Sequence, residues 1–195
     1  MKVEITHDIA CSWSALGFAR FRRAAEEHRA GGGALTVVFR PYQTAARSAG
    51  TPQNGGPSPL ASTARAQQTV RAAAADGLVM RPDRIVPADT SRAHRLIARA
   101  AAHGRAEDMA ARLYRAHFTD GLDIADASVL RDLASALGVP WDAGKNADRP
   151  HPEPAPPGPR VPVFRFPDGT VLVGAVSLAA LRGELRRAAM RTAAA

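Results

Sequence analysis

The sequence predicts an α/β protein in which an all-helical segment separates the second strand from the third. Apolar and polar residues alternate at the N-terminus, as in a half-buried strand, and apolar residues recur at helical spacing over 60–137. Two runs rich in β-branched residues follow near the C-terminus and are joined by Asp168-Gly169, which favours a hairpin. A strand, a helix and a second strand open the chain, and a right-handed crossover would make the first two strands parallel neighbours.

The first elements are a strand over 3–9, an amphipathic helix from about 13 to 29 and a strand over 34–39. The glycine triplet at 31–33 ends the helix, because glycine tolerates a left-handed cap. Proline, glycine, serine and asparagine are frequent over 43–59, which predicts a loop.

Four helices are predicted between the second and third strands, each with an apolar face and a start or stop signal. They are a helix over 60–76 closed by Gly77, a helix capped by Asp89, Thr90 or Ser91, a helix carrying Met109, Leu113 and Ala116, and a helix that starts at 126–128 and ends at Gly138. Six prolines exclude a regular helix over 141–160. The hairpin strands are then predicted over 161–166 and 170–174, and Ser177 is predicted to cap a last helix.

The composition excludes several classes of function. Aromatic residues make up only 5% of the chain and the net charge of +8 comes from scattered arginines, so we expect no nucleic-acid partner. These arginines form either solvated helix faces or a basic cleft that attracts an acidic small molecule. No apolar run approaches the roughly 20 residues that a membrane-spanning helix needs, so we expect no membrane partner.

The chain has one cysteine, Cys11, and therefore no internal disulfide, which favours a reducing, cytoplasmic location. The N-terminus runs directly into the first strand without a long apolar core, so we expect no secretory signal peptide.

Cys11 lies at the junction of the first strand and the first helix. Unpaired N–H groups and the helix dipole favour an anion there, so a cysteine in this position ionises more readily than a free one. Ser14, three residues on, lies on the same side of the first turn and can offer its hydroxyl to the thiolate. We therefore predict Cys11 and Ser14 as catalytic residues. The alternative is an inert buried cysteine that acts as a small hydrophobe.

The stretch Asp8-Ile9-Ala10-Cys11-Ser12-Trp13-Ser14 resembles the D-x-x-C-P-W-C stretch of the DsbA-like thioredoxin-fold family. The resemblance is to its cytoplasmic FrnE-like group, related to 2-hydroxychromene-2-carboxylate isomerases and kappa-class glutathione transferases. Residues 89–96, DTSRAHRL, are similar to the group's N-T-x-x-A-H-R-L, and 113–124, LYRAHFTDGLDI, to its L-F-x-A-Y-F-T-E-G-x-D-I. Val161-Pro162 resembles the family's V-P, whose proline is cis and contacts the active-site cysteine.

The resemblance implies a thioredoxin-like fold. It implies a thioredoxin-like domain built from 1–59 and 160–195, a helical insertion over 60–140 and a proline-rich linker over 141–159. The linker stands where the group has a further helix beside its substrate groove, which implies a groove of different shape.

The resemblance makes Cys11 the nucleophile and the site a monothiol one, because serines replace the proline and the second cysteine. The implied substrate-binding residues are Ser12, Trp13, Val161, Pro162, His94 and Asp89. Asp89 departs from the group's asparagine. His94 is alternatively a helix-packing residue, and we interpret His7, at the end of the first strand, as packed or solvent-facing.

Three functions remain open from the sequence. The first is a DsbA-like oxidoreductase that forms a mixed disulfide or thiol adduct at Cys11 and releases it with an external thiol. The second is a small-molecule isomerase, cyclase or glutathione-type transferase without net redox chemistry, and the third is a non-enzymatic binding module. We expect no bound cofactor or metal, glutathione or another low-molecular-weight thiol as co-substrate, and a small-molecule or disulfide substrate. A homodimer is also open.

Overall fold

The computed structural model describes residues 1–43, 59–141 and 161–193 of the chain. The loop predicted over 43–59 and the linker predicted over 141–159 lie almost entirely outside the described residues.

Four strands lie within the described residues and form one mixed sheet. They are β1 Lys2–His7, β2 Thr36–Pro41, β3 Val163–Arg165 and β4 Val171–Val173. Their order is β2–β1–β3–β4, with β1 parallel to β2 and antiparallel to β3, and with β3 antiparallel to β4. The parallel first pair and the predicted hairpin are therefore confirmed, although the hairpin strands have only three residues each.

Six α-helices lie within the same parts of the chain. They are α1 Ser12–Ala30, α2 Pro59–Ala75, α3 Ser91–Ala101, α4 Ala106–Arg115, α5 Ala127–Ala136 and α6 Leu178–Ala193. Because α2 to α5 connect β2 to β3, the predicted α/β fold with an all-helical insertion between the second and third strands is confirmed.

The helix starts follow local sequence signals. The Asp126 carboxylate accepts the backbone N–H of Ser128 at 2.6 Å at the start of α5, and the Ser177 hydroxyl accepts the N–H of Ala180 at 3.2 Å at the start of α6. Side-chain oxygens satisfy N–H groups that have no partner inside the helix. The predicted start of α5 and the predicted cap of α6 are therefore confirmed.

The main core lies between α1 and the sheet. β1 is a central strand, so Val3 and Ile5 are completely buried and His7 points to the same face. Phe21 of α1 stacks on Phe164 of β3 with 5.4 Å between ring centroids. The same alternation of buried and exposed residues that predicted β1 therefore places the His7 side chain in the interior.

A second, helical part of the core follows α4. Residues Ala116–Asp120 form a π-helical turn, and Gly121 ends it with a φ of 71°. A π-helical turn changes the direction in which side chains leave the helix and is common at functional sites. His117 and Phe118 are buried within it.

None of the helices in the described part of the chain combines the length and apolar character needed to cross a membrane.

Candidate active site

Cys11 immediately precedes α1, with an extended backbone. Its N–H donates to the carbonyl of Asp8 at 3.2 Å, and its own carbonyl accepts the N–H of Ala15 at 3.0 Å as the helix begins. The residue is half-buried, and the first turn of α1 carries no acidic side chain that would oppose a thiolate. This environment does not match a fully buried cysteine that serves only as a small hydrophobe.

The two sides of the first turn of α1 differ in exposure. Trp13 is 40% exposed and Ser12 is half-buried, so these predicted substrate-binding residues lie on the outer side. Ser14 is completely buried, and its Oγ accepts the backbone N–H of Asp8 at 3.3 Å. The hydroxyl that replaces the second thiol therefore faces the interior of the protein.

Asp8 links this turn to the helical insertion. Its carboxylate is buried and accepts the N–H of Ala10 at 3.1 Å and the hydroxyl of Thr90 at 3.2 Å. Thr90 directly precedes α3. The hydrogen bond between the two side chains therefore fixes the start of α3 against the loop that carries Cys11.

A short hydrogen bond joins β1 to α4. His7 Nδ1 lies 2.7 Å from the hydroxyl of Tyr114, and both side chains are buried. Burial lowers the pKa of His7 well below its usual value. Burial also raises the pKa of Tyr114 well above its usual value, the negative charges of Cys11 and Asp8 raise it further, and the nearby Ser14 hydroxyl acts in the opposite direction. At neutral pH the pair is a neutral imidazole and a neutral phenol, and the phenol is electrostatically coupled to the cysteine.

His94, on α3, is only 5% exposed. Its ring meets that of His7 edge to face with 5.0 Å between centroids. Burial lowers the pKa of His94 to about 4, although the charge of Asp8 and a hydrogen bond with the backbone of Tyr42 both favour the protonated form. His94 is therefore neutral at pH 7 and belongs to the interior side of the site.

These side chains form a group that we call the buried polar cluster: His7, Asp8, Ser14, Thr90, His94, Tyr114 and His117. Burial also lowers the pKa of His117. Among the described residues, Nε2 of His7, Nε2 of His94 and Nδ1 of His117 have no hydrogen-bond partner. Three buried imidazoles thus each keep one unused nitrogen.

Asp89 is exposed and lies at the start of α3. Its carboxylate accepts the N–H of Ser91 at 2.7 Å and lies 3.5 Å from the side-chain nitrogen of Gln43. Its charge acts on His94 and raises the pKa of that imidazole. The predicted substrate contact of Asp89 stays a prediction, and the visible role of its side chain is at the helix start.

The Val161–Pro162 peptide bond is cis, which is the geometry that the resemblance implies. Both residues are buried, and the carbonyl of Pro162 accepts the N–H of Gly174 at 2.7 Å. A Cβ on Gly17 would lie 2.5 Å from Cγ of Pro162. The missing side chain at Gly17 therefore allows the proline ring to pack against α1, the helix that starts next to Cys11.

A cavity of about 680 Å³ lies beside the buried polar cluster, between α1 and α4. Its wall includes Tyr114 and the apolar side chains of Ala15 and Phe18. Its basic side chains are Arg22, Arg23 and Arg115, and its acidic ones are Glu26 and Asp76. One interpretation of the scattered arginines was a basic cleft that attracts an acidic small molecule. In this cavity the two acidic side chains offset most of the positive charge of the three arginines. In the described parts of the chain, no group of three or more His, Cys, Asp or Glu side chains is arranged to hold a metal ion.

Sequence reasoning assigned no role to Asp8, Tyr114 or His117 and interpreted His7 only as packed or solvent-facing. A signal for two of them was available in 113–124. The pattern that this segment resembles has phenylalanine where Tyr114 stands and tyrosine where His117 stands. Both departures fall in one buried cluster, which the sequence alone does not reveal.

Comparison with known proteins agrees with this architecture. The family model for the DSBA-like thioredoxin domain matches residues 2–148. No curated protein matches the chain. Among solved structures, a probable DsbA oxidoreductase from Streptomyces coelicolor is 26% identical with a TM-score of 0.74, over 96% of this chain and 89% of that chain.

Two further solved structures share the fold at 19% identity each. One is a 2-hydroxychromene-2-carboxylate isomerase, with a TM-score of 0.70 over 99% of this chain and 98% of that chain. The other is the cytosolic disulfide reductase DsbM from Pseudomonas aeruginosa with GSH, with a TM-score of 0.64 over 100% of this chain and 98% of that chain. Since the family model covers most of the sequence, the chain belongs to the DSBA-like thioredoxin domain family.

Proposed function

We propose that the protein is a monothiol thiol–disulfide oxidoreductase in which Cys11 forms a mixed disulfide that an external thiol resolves. One observation carries the proposal: a half-buried cysteine at the start of α1 is followed, three residues on, by a buried serine in place of a second thiol. Membership of the DSBA-like family supports thiol chemistry, as does the similarity to a probable DsbA oxidoreductase.

The first step is attack of the Cys11 thiolate on one sulfur of a substrate disulfide. A bond forms between Cys11 and that sulfur, the substrate S–S bond breaks, and the other sulfur leaves as a thiolate. In a dithiol site the second cysteine would then attack Cys11. Ser14 cannot do so, because a hydroxyl oxygen does not replace sulfur in disulfide exchange.

The second step therefore needs a thiol from solution. Its thiolate attacks the substrate-derived sulfur of the mixed disulfide, a new external disulfide forms, and Cys11 leaves as a thiolate. Glutathione is the proposed co-substrate, supported by the solved cytosolic disulfide reductase that has GSH in its structure. A cytoplasmic location belongs to the same proposal, because one cysteine makes no stabilising internal disulfide.

The test starts from the reduced protein and glutathione disulfide. Intact-mass analysis should show one glutathione per chain, attached at Cys11 and removed by excess glutathione. Glutathione-dependent reduction of hydroxyethyl disulfide should be lost in Cys11→Ser and kept in Ser135→Ala, which removes an exposed hydroxyl on α5. Reduction that survives in Cys11→Ser would reject the mixed-disulfide mechanism.

A non-redox isomerase, cyclase or glutathione-type transferase is the second candidate. The observation in its favour is the cavity of about 680 Å³ next to Tyr114, which has the size of a small-molecule site. The shared fold with a 2-hydroxychromene-2-carboxylate isomerase is compatible with it. This candidate is supported if mass analysis shows no glutathione adduct and the protein converts a small electrophile at a rate that falls when Tyr114 is replaced.

A further inference from the structure

We propose that the outer edge of β4 is a self-association surface, at which two copies of the chain join their β4 strands antiparallel about a twofold axis through Leu172. The partner is a second copy of the same chain, which adds its own β4 to the end of the sheet. The proposal concerns an interface, so it does not depend on the thiol chemistry proposed for Cys11.

β4 is an end strand, and no strand lies on its outer side in the part of the chain that the structure describes. Backbone groups of Thr170 and Gly174 hydrogen-bond toward β3, at 2.9 and 2.7 Å. In an antiparallel pair the backbone groups of successive residues point alternately toward the neighbouring strand and away from it. Those of Val171 and Val173 therefore point away from β3, in the direction from which another strand can approach.

The residues of β4 lack the side chains that usually prevent the end strand of a sheet from pairing, which are charged residues and proline. The opposite end strand has both, because β2 ends with Arg40 and Pro41 and the Arg40 side chain is exposed. No charged residue occurs over 169–181, although 23% of the chain is charged, and Val171 and Val173 are 48% and 49% exposed. The β4 edge is therefore both open and apolar.

The distribution of charge favours a second copy as the partner. The chain has a net charge of +8, so contact between two copies through their basic surfaces is opposed by electrostatic repulsion. Contact through the uncharged residues 169–181 brings no like charges directly together.

The register of β4 is also self-complementary, because the run Val171-Leu172-Val173 reads the same in both directions. In an antiparallel pair centred on Leu172, Val171 of each copy lies opposite Val173 of the other, and the two residues exchange two backbone hydrogen bonds. The side chains of Val171 and Val173 are on one face of the sheet, where the buried Val163 is the β3 neighbour of Val173. Cross-strand pairs of β-branched residues on one face stabilise a sheet.

The hairpin holds this edge in shape before any partner binds. The Asp168 carboxylate accepts the N–H of Thr170 at 2.9 Å and contacts the guanidinium of Arg191 on α6. An edge that is already ordered loses little conformational entropy when a second strand pairs with it.

Antiparallel pairing leaves both candidate active sites accessible. The N–H of Gly174, just after β4, donates to the carbonyl of Pro162, whose ring packs against the helix that starts next to Cys11. The Asp168-Gly169 turn lies at the other end of β4. The twofold axis therefore places the two sites at opposite ends of the joined strands.

Sedimentation equilibrium measures the association. Because the shared strand has only three residues, we expect a weak dimer with a Kd on the order of 10–100 μM, so the mass should rise from one chain toward two over about 1–500 μM. Val173→Lys should raise the Kd by about tenfold or more, because it places a charge in the apolar pairing edge. Val86→Lys changes another exposed valine and should leave the Kd unchanged.

A charge exchange tests the register. Val171→Glu alone should also weaken the dimer, whereas the double variant Val171→Glu/Val173→Lys should restore it, because each introduced carboxylate then lies opposite an introduced ammonium of the other copy. In a Cys11→Ser background, Leu172→Cys should cross-link two copies on mild oxidation, since opposite residues of such a pair have Cα atoms about 4.5 Å apart, within reach of a disulfide. Ser135→Cys, on the exposed face of α5, should not cross-link in the same background.

A protein that stays monomeric over the whole concentration range overturns the proposal. So does a dimer whose Kd is the same in Val173→Lys, because another surface then holds the copies together. A double variant that associates no better than the single ones rejects pairing about Leu172. Failure of the mixed-disulfide mechanism changes none of these readouts, since they measure mass and cross-linking and not turnover.

Discussion

His94 makes the stability of this fold sensitive to mild acid. Burial lowers the pKa of His94 from 6.5 to about 4, so between these values the unfolded chain binds a proton that the folded protein excludes. The contribution to stability is fully present above pH 6.5 and decreases as the pH falls toward 4. At 1.36 kcal/mol per pKa unit, the complete loss is about 3 kcal/mol, of which about 2 kcal/mol is lost between pH 7 and pH 5.

Urea unfolding followed by circular dichroism at pH 7, 6 and 5 measures this loss. Wild-type protein and His94→Asn are compared through the slope of unfolding free energy with pH, because the substitution also changes packing at every pH. The change in unfolding free energy between pH 7 and pH 5 should be smaller in His94→Asn than in wild type by about 2 kcal/mol. His103→Asn, at an exposed histidine, should keep the wild-type slope. Equal slopes for wild type and His94→Asn would refute the assignment of a buried, neutral imidazole.

Two further substitutions test the packing of the proline and the monothiol character of the site. Gly17→Ala places a Cβ 2.5 Å from Cγ of Pro162, so we expect urea unfolding to show a loss of about 1–3 kcal/mol. Gly183→Ala, in α6, meets only an ordinary 3.7 Å contact and should stabilise the protein by about 0.5–1 kcal/mol, and equal effects of the two alanines would contradict the close approach. Ser14→Cys should form an internal disulfide on oxidation, seen as a mass lower by two hydrogens, because residues three apart share one side of a helical turn. Ser12→Cys, one residue from the thiol, should not, and an internal disulfide in both variants would remove the positional argument.

Local signals were enough to predict most of the architecture. The alternation around Val3 and Ile5 predicted β1, the short Asp168-Gly169 turn predicted the hairpin, and Asp126 marked the start of α5. Such signals depend on interactions between residues a few positions apart, so they do not depend on how distant segments of the chain pack. They also predicted where Cys11 stands relative to α1.

The interior of the site was not predictable in the same way. The periodicity around Tyr114 is that of a helix with an apolar face, and a buried tyrosine fits such a face without any special role. Only the packing of α4 against β1 brings its hydroxyl to His7. The π-helical turn that buries His117 has no distinct periodicity either, because a single wide turn is shorter than the window in which a helical repeat is recognised.

The hydrogen bond between His7 and Tyr114 spans 107 positions of the chain. During synthesis at roughly 5–20 residues per second, about 5–20 seconds pass between the addition of His7 and the addition of Tyr114. Until then His7 lacks its buried hydrogen-bond partner, and the buried polar cluster forms only once the helical insertion has docked. The fold and the interior behind the cysteine are therefore completed together.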